Sequence, residues 1–453
     1  MGALAVMLKS LGHRVTGSDR DVYPPISTML AMQQIPVYQG FDAAHLDPAP
    51  DLVVIGNAVS RGNPEAETVL ERRMRYLSMP EALKDFFLWD RHPIVVTGTH
   101  GKTTTTSLIA HVLREAGFDP SYIIGGIPVG WETGARLGAG KYFLLEGDEY
   151  DSAFFDKRAK FLHYLPHIAV INNIEYDHAD IYDDVDQIVL AFRRFINLVP
   201  RNGLIAGSAD DARVRALLGH AHTPVQTFGN APDARWSARK VTVSPTGTSF
   251  TLCENDNEID EMRVPLYGIH NIQNVLAAIV ATRQAGVDLK TVGEALQTFP
   301  GVKRRLEVKG EAGGVTVYDD FAHHPTAVSV TLKGLRAAFP KDRLWAVYEP
   351  RSATSIRRVF QDAFVAAFDD ADRVVIAPVF NAYKAPEENR FSVEDLVTRL
   401  AGRGKLVDAP PDIDAIVALL AKQSRPGDRI VFMSNGGFGG IHDRCLQALS
   451  ARQ

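Results

Sequence analysis

The fold of this chain turns on one stretch, "PIVVTGTHGKTTTTSLIAHVLREAG", residues 93–117. Residues 94–97 form a β-branched, apolar run that predicts a strand. Leu108, Ile109, Val112 and Leu113 recur at helical spacing and end near Gly117, which predicts a helix. Between them lies Gly98-Thr99-His100-Gly101-Lys102-Thr103-Thr104. The common phosphate loop has a glycine, four free residues and then Gly-Lys-Ser/Thr. Here the position five before Gly101 is Val96, and the upstream glycine is Gly98. The spacing is shortened, but the chemistry is intact. Glycines let backbone N–H groups approach an anion, and a helix N-terminus adds partial positive charge. Lys102 can reach terminal phosphates, and the hydroxyl of Thr103 or Thr104 can ligate Mg²⁺. The loop is therefore expected to bind ATP.

Two acidic clusters follow. "LLEGDEYD" places Glu146, Asp148, Glu149 and Asp151 at one strand end, and "NNIEYDHAD" places Asn173, Glu175, Asp177 and His178 at the next. Strand ends on the side of a parallel sheet that holds the phosphate loop are where ligands gather. Carboxylate and imidazole beside triphosphate oxygens can make a Mg²⁺ site.

Working outward, 453 residues at roughly 150 per domain suggest about three domains. Hydrophobic content of 45% and charged content of 23% fit an ordinary globular protein. A net charge of −5 with no long basic run gives nucleic acid no electrostatic footprint. Two distant cysteines, Cys253 and Cys445, argue against a disulfide framework and suit a reducing, cytoplasmic setting. No apolar run is long enough to span a membrane. The opening "MGALAVMLKSLGHRV" has Leu4, Ala5, Leu8 and Leu11 at helical spacing and reads as an amphipathic helix, not a signal peptide.

Helix and strand alternate along the chain, which predicts an α/β protein with parallel sheets. Strands are expected at 13–19, 51–60, 91–98, 142–149, 167–175, 202–211, within a β-rich stretch at 240–253, and in the last third at 313–326, 343–350, 372–378 and 428–437. The division expected is a substrate domain at 1–90, a central ATP-binding domain at 91–301 and a C-terminal domain at 302–453. A doubly wound domain normally opens with a strand and a glycine-rich turn. This chain opens on a helix, so the first domain is expected to lack that strand and loop.

The ordered set "GTHGKTTTT", "LLEGDEYD", "NNIEYDHADIY", "YGIHNIQNVLAA", "PGVKRRLE", "DDFAHHPT" and "FMSNGG" resembles the Mur ligase family, which forms amide bonds at the expense of ATP in peptidoglycan synthesis. The resemblance spans residues about 95 to 440. It implies a UDP-substrate domain, a central ATPase and a Rossmann-like C-terminal domain. Within the family, two branches act on UDP-N-acetylmuramate: one adds L-alanine, the other the recycled tripeptide L-Ala-γ-D-Glu-meso-diaminopimelate. "IGNAVSRGNPE", "EYDSAFFDKRAKFLHY", "YEPRSATS" and "MSNGGFGGIH" are similar to the tripeptide branch. The alanine branch is expected to carry a His-Arg pair where this chain has Pro350-Arg351-Ser352.

Carried over by position, the resemblance implies that Gly98 to Thr104 cradle phosphates, with Lys102 on the terminal ones. Thr103, Glu146 and His178 would hold Mg²⁺, with Glu149 a nearby alternative. His270, Asn271 and Asn274 would line the nucleotide pocket. Arg305 and Asp319 would clamp ATP from the C-terminal domain, and His323, His324 and Arg351 would face the reacting groups. His178, His324 and Glu149 are all candidates for the general base. Several family members use a carbamylated lysine about fifteen residues after the metal histidine. Arg193 stands near that place and cannot carry a carbamate, so a second metal would need other ligands. The implied partners are small molecules, UDP-N-acetylmuramate and the tripeptide, with no nucleic acid and no membrane, and the expected state is a monomer or weak homo-oligomer. Two rival readings are the alanine-adding ligase and a phosphate-loop protein that hydrolyses ATP without joining anything.

Overall fold

The computed structural model describes residues 1–22, 26–176, 181–182, 184–352 and 354–452. The protein is α/β, with sheets dominated by parallel strands.

The run 93–117 folds as its sequence predicts. His92–Thr97 is a buried strand, and Lys102–Glu115 is the helix after it. This strand sits inside a ten-stranded sheet, between Tyr142–Gly147 on one side and Ile168–Ile171 on the other, parallel to both. Residues alternate between the two faces, as the two-residue period of a strand requires. Ile94, Val96, Leu144, Ile168 and Val170 pack under the helices Lys102–Glu115, Ile269–Gln284 and Leu289–Gln297. Val95, Phe143, Leu145, Ala169 and Ile171 face Phe192 and Phe195 of the helix Val185–Ile196, together with Leu4 and Met7 of the opening helix Gly2–Ser10.

The β-rich stretch at 240–253 is not one element. It is parts of two antiparallel strands, Trp236–Ser244 and Gly247–Glu254, and a third, Asn257–Val264, completes a meander at the sheet edge. Gly247, at φ 124°, makes the first turn. Other strands are shorter than their apolar runs: 167–175 yields only Ile168–Ile171, because Asn172 onward turns to serve the phosphate loop.

In the first 90 residues, Gly17–Asp19 pairs in parallel with Val37–Gln39, and Val53–Ile55 with Tyr76–Ser78. The last third builds a six-stranded sheet in the order Glu307–Ala312, Val315–Asp320, Arg429–Met433, Leu344–Tyr348, Arg373–Ile376, Leu406–Asp408. Its first pair is antiparallel and the rest are parallel. The connecting segment is clipped to the central body: Lys303 N–H donates to the Ile127 carbonyl at 2.9 Å, and Val129 N–H to that of Gly301 at 3.0 Å.

Candidate active site

Parallel register decides which loops meet. Thr97 ends its strand opposite both Gly147 and Ile171, so the loops after those strands flank the phosphate loop. Strand order reverses here, the usual position for a ligand in an open α/β sheet.

Gly101 takes a left-handed conformation (φ 83°, ψ −8°) at the N-cap of the helix. A side chain would not fit there. A Cβ would lie 2.3 Å from Asn274 Oδ1 and 2.9 Å from Asn172 Nδ2. These two amides brace the loop from behind. Thr105 Oγ1 donates to Asn274 Oδ1 at 3.2 Å, Asn172 Nδ2 donates to Thr105 Oγ1 at 3.1 Å, and Asn274 Nδ2 donates to Asn271 Oδ1 at 3.1 Å. Asn173 holds the front, accepting from His100 N–H at 2.8 Å.

Lys102 folds back over the loop. Its ammonium donates to the Gly98 carbonyl at 2.7 Å and to Glu149 Oε2 at 3.1 Å, with Asp148 Oδ1 at 4.0 Å. Burial disfavours its charge, but Glu149 and Asp148 outweigh that and raise its pKa. Thr103 Oγ1 donates to Glu146 Oε2 at 3.0 Å, and Glu146 Oε1 accepts from Gly125 N–H at 2.6 Å. Burial, with Asp148 beside it, pushes Glu146 up to about 7. This half-buried carboxylate, converging with a hydroxyl, is an all-oxygen donor pair of the kind Mg²⁺ takes, with phosphate and water filling its other positions. These residues fit the ion. Asp177 and His178 lie outside the described residues.

The C-terminal domain reaches into this site. Arg304 at φ 61° and Leu306 at φ 49° are non-glycine residues in left-handed conformations on either side of Arg305. That strained turn sends the two arginines apart. Arg305 Nη2 lies 3.5 Å from Thr103 Oγ1, across the domain boundary. Arg304 turns back to donate to the Ser434 and Gly436 carbonyls at 2.7 and 2.6 Å. His324 caps the helix Pro325–Ala338, its Nδ1 accepting from Thr326 N–H at 3.3 Å. Its ring lies 4.9 Å from that of His100, centroid to centroid. Burial, with His100 nearby, pushes His270 down to about 4, so it is neutral at pH 7.

The structure therefore brings together Gly98 to Thr104, Glu146, Glu149, Asn271, Asn274, Arg305 and His324. Asp319 and Arg351 make their ion pairs within the C-terminal domain. Asp319 is buried against Arg304 Nε at 3.5 Å and His442 Nε2 at 3.3 Å. Arg351 lies over the Phe380 ring at 3.7 Å, with Glu349 Oε2 at 3.6 Å. His323 Nδ1 is 2.9 Å from the Phe321 carbonyl. Arg193 is exposed on its helix. Sequence reasoning missed Asn172, Arg304, Glu349 and Ser434. Asn172 and Arg304 adjoin residues it did single out. Ser434 donates to Glu349 Oε2 at 2.5 Å, a pairing set by the register of Tyr348 and Met433 and carried by no local motif.

A phosphate loop at a switch point, overlaid by a separate α/β domain that sends an arginine to the loop's threonine, defines a nucleotide-using enzyme assembled from more than one domain. Residues 1–88 match the Mur ligase family catalytic domain, 96–282 the Mur ligase middle domain, and 304–436 the Mur ligase glutamate ligase domain. The chain is 41% identical over 454 residues to the UDP-N-acetylmuramate–L-alanyl-γ-D-glutamyl-meso-2,6-diaminoheptandioate ligase of Escherichia coli, covering 100% of this chain and 96% of that protein. It is 34% identical to the UDP-N-acetylmuramate–L-alanine ligase of Desulforapulum autotrophicum, covering 99% and 96%. The crystal structure of a murein peptide ligase from Psychrobacter arcticus is similar at a TM-score of 0.72 and 37% identity, covering 99% of this chain and 96% of that one. The chain belongs to the Mur ligase family.

Proposed function

We propose that this protein is an ATP-dependent, ADP-forming ligase that joins UDP-N-acetylmuramate to the recycled tripeptide L-Ala-γ-D-Glu-meso-diaminopimelate in the cytoplasm. The observation that carries the reading is the convergence of Lys102, Thr103 and Glu146 from the central domain with Arg305 from the C-terminal one. The choice of amine rests on whole-chain likeness, 41% to a tripeptide ligase against 34% to an alanine ligase. The domain division at 1–90, 91–301 and 302–453 is part of the same reading.

Joining a carboxylate to an amine in water is uphill, so the carboxylate must first be activated. A lactyl carboxylate oxygen attacks the γ-phosphorus, the bridging P–O bond to the β-phosphate breaks, and ADP leaves an acyl phosphate. Lys102, the helix N-terminus and Arg305 stabilise the charge on the transferring group. Thr103 and Glu146, with His178, would hold Mg²⁺, which supplies further neutralisation of phosphate charge. The peptide's alanine amine then attacks the acyl carbon, loses a proton to a base, and expels phosphate. The candidates for that base are Glu149, His178 and His324. His270, Asn271 and Asn274 would border the nucleotide. Asp319 would act through Arg304, and Arg351 would meet the incoming peptide at the C-terminal strand ends.

The test is ADP release with UDP-N-acetylmuramate plus either tripeptide or free L-alanine. The proposal expects turnover with tripeptide. Preference for free alanine would overturn the assignment, and turnover indifferent to both amines would mark a simple ATPase.

A further inference from the structure

Glu175 is tied to both sides of the site, and the mechanism above gives it no role. Its main chain is bolted to the phosphate loop: its N–H donates to Thr99 Oγ1 at 2.9 Å, and its carbonyl accepts from the same hydroxyl at 3.3 Å. Its carboxylate reaches the other domain. Oε2 accepts from Thr326 Oγ1 at 2.9 Å and faces His324 Nδ1 at 3.9 Å, both at the start of the helix Pro325–Ala338 in the C-terminal domain. His100 Nε2 of the phosphate loop lies 3.5 Å from the same oxygen. Backbone and side chain of this one residue thus join Thr99 and His100 of the phosphate loop to His324 and Thr326 of the C-terminal domain. Burial raises its carboxyl, but His100, the Thr326 hydroxyl and His324 outweigh that and hold it down at about 2, so it is ionised at working pH.

We propose that Glu175 is a positioning residue that couples an occupied phosphate loop to closure of the C-terminal domain, and so keeps water from the acyl phosphate. The inference rests on the ligase reading above. Phosphate that orders Thr99 and His100 fixes the Glu175 main chain, and the carboxylate then holds Thr326 and His324 over the site. Without that strut the first half-reaction still runs, since Lys102, Thr103 and Glu146 are untouched. The acyl phosphate then meets water as well as the amine: water adds to the acyl carbon, phosphate leaves, and the free carboxylate returns with ATP spent.

The test compares wild type with Glu175→Ala, Glu175→Gln and Thr326→Val, counting both ADP and amide product. Wild type should release close to one ADP per amide. Glu175→Ala should lose about ten- to a hundredfold in kcat for amide formation, the span commanded by a hydrogen bond to a charged group. Its ATP KM should hold within about twofold, and its ratio of ADP to amide should rise clearly above one. Glu175→Gln, which keeps an acceptor for Thr326, should fall between. Thr326→Val, made on the other domain, should raise the ratio too, and combining it with Glu175→Ala should add little. A merely structural role would lower stability without moving the ratio. Small-angle scattering with a non-hydrolysable ATP analogue should show compaction in wild type and less in Glu175→Ala. If wild type forms amide while both Glu175→Ala and Thr326→Val keep a ratio of one and normal kcat, the inference is wrong. If wild type joins neither amine, the ligase reading fails instead, and equal compaction of wild type and Glu175→Ala would then overturn the coupling by itself.

Discussion

Replacing Gly101 with alanine tests whether the loop's shape, and not just its lysine, makes the nucleotide site. The added methyl would sit 2.3 Å from Asn274 Oδ1 and 2.9 Å from Asn172 Nδ2, inside any permitted contact. A left-handed conformation costs an alanine about 1–2 kcal/mol. Moving Asn274 aside breaks its bonds to Thr105 and Asn271, at about 1 kcal/mol each. The sum is about 3–4 kcal/mol. At roughly 2–4 °C per kcal/mol for a domain of this size, the central-domain transition should fall by about 6–16 °C. Gly117→Ala is the control. It has a similar φ, 76°, but nothing lies within 4 Å of its would-be Cβ. It should cost only the backbone strain and leave nucleotide binding alone. The assay pairs calorimetry with ATP-analogue titration of the two variants. If Gly101→Ala melts no lower than Gly117→Ala and binds the analogue equally well, the bracing described here is not what shapes the loop.

Two further outcomes follow from the charges. Glu146 keeps its proton up to about pH 7 in the folded, metal-free protein, against an ordinary value of 4.5 when unfolded. Stability is therefore full below 4.5 and declines as pH rises to about 7, by of order 2 kcal/mol for a carboxylate partly open to solvent. Glu146→Gln should flatten that decline in a pH series of melts, and a slope unchanged by the substitution would refute the cause given. Lys102→Met leaves Glu149 buried without its cation, which should cost about 3 kcal/mol of stability near neutral pH. It should also lower kcat by roughly 10²–10³, and a steady-state assay showing less than a tenfold loss would remove Lys102 from the phosphoryl-transfer step.

Much of the central domain was legible because its signals are local. A β-branched run, a Gly-Lys-Thr-Thr turn and a 3.6-residue apolar stripe sit side by side at 93–117, and each fixes its own neighbourhood. The Glu146 cluster was legible too, since parallel order places successive strand ends together. The C-terminal half of the site was less so. Arg304 and Arg305 look alike in sequence, and only left-handed backbone at Arg304 and Leu306 sends them to different domains. Asp319 looks like a ligand clamp, yet register and the helix Ile441–Ser450 pair it with Arg304 and His442. Glu175 drew notice as one of a cluster, but its partner Thr326 lies 151 residues on, beyond any periodicity.

The central claim is that this loop drives phosphate onto a carboxylate. It is tested most directly by a structure with Mg²⁺ and a non-hydrolysable ATP analogue. The terminal phosphate should lie within about 3 Å of Lys102 Nζ, with the ion held by Thr103 and Glu146 and Arg305 turned to the phosphates. An analogue bound away from Lys102, with Glu146 facing elsewhere, would contradict the account.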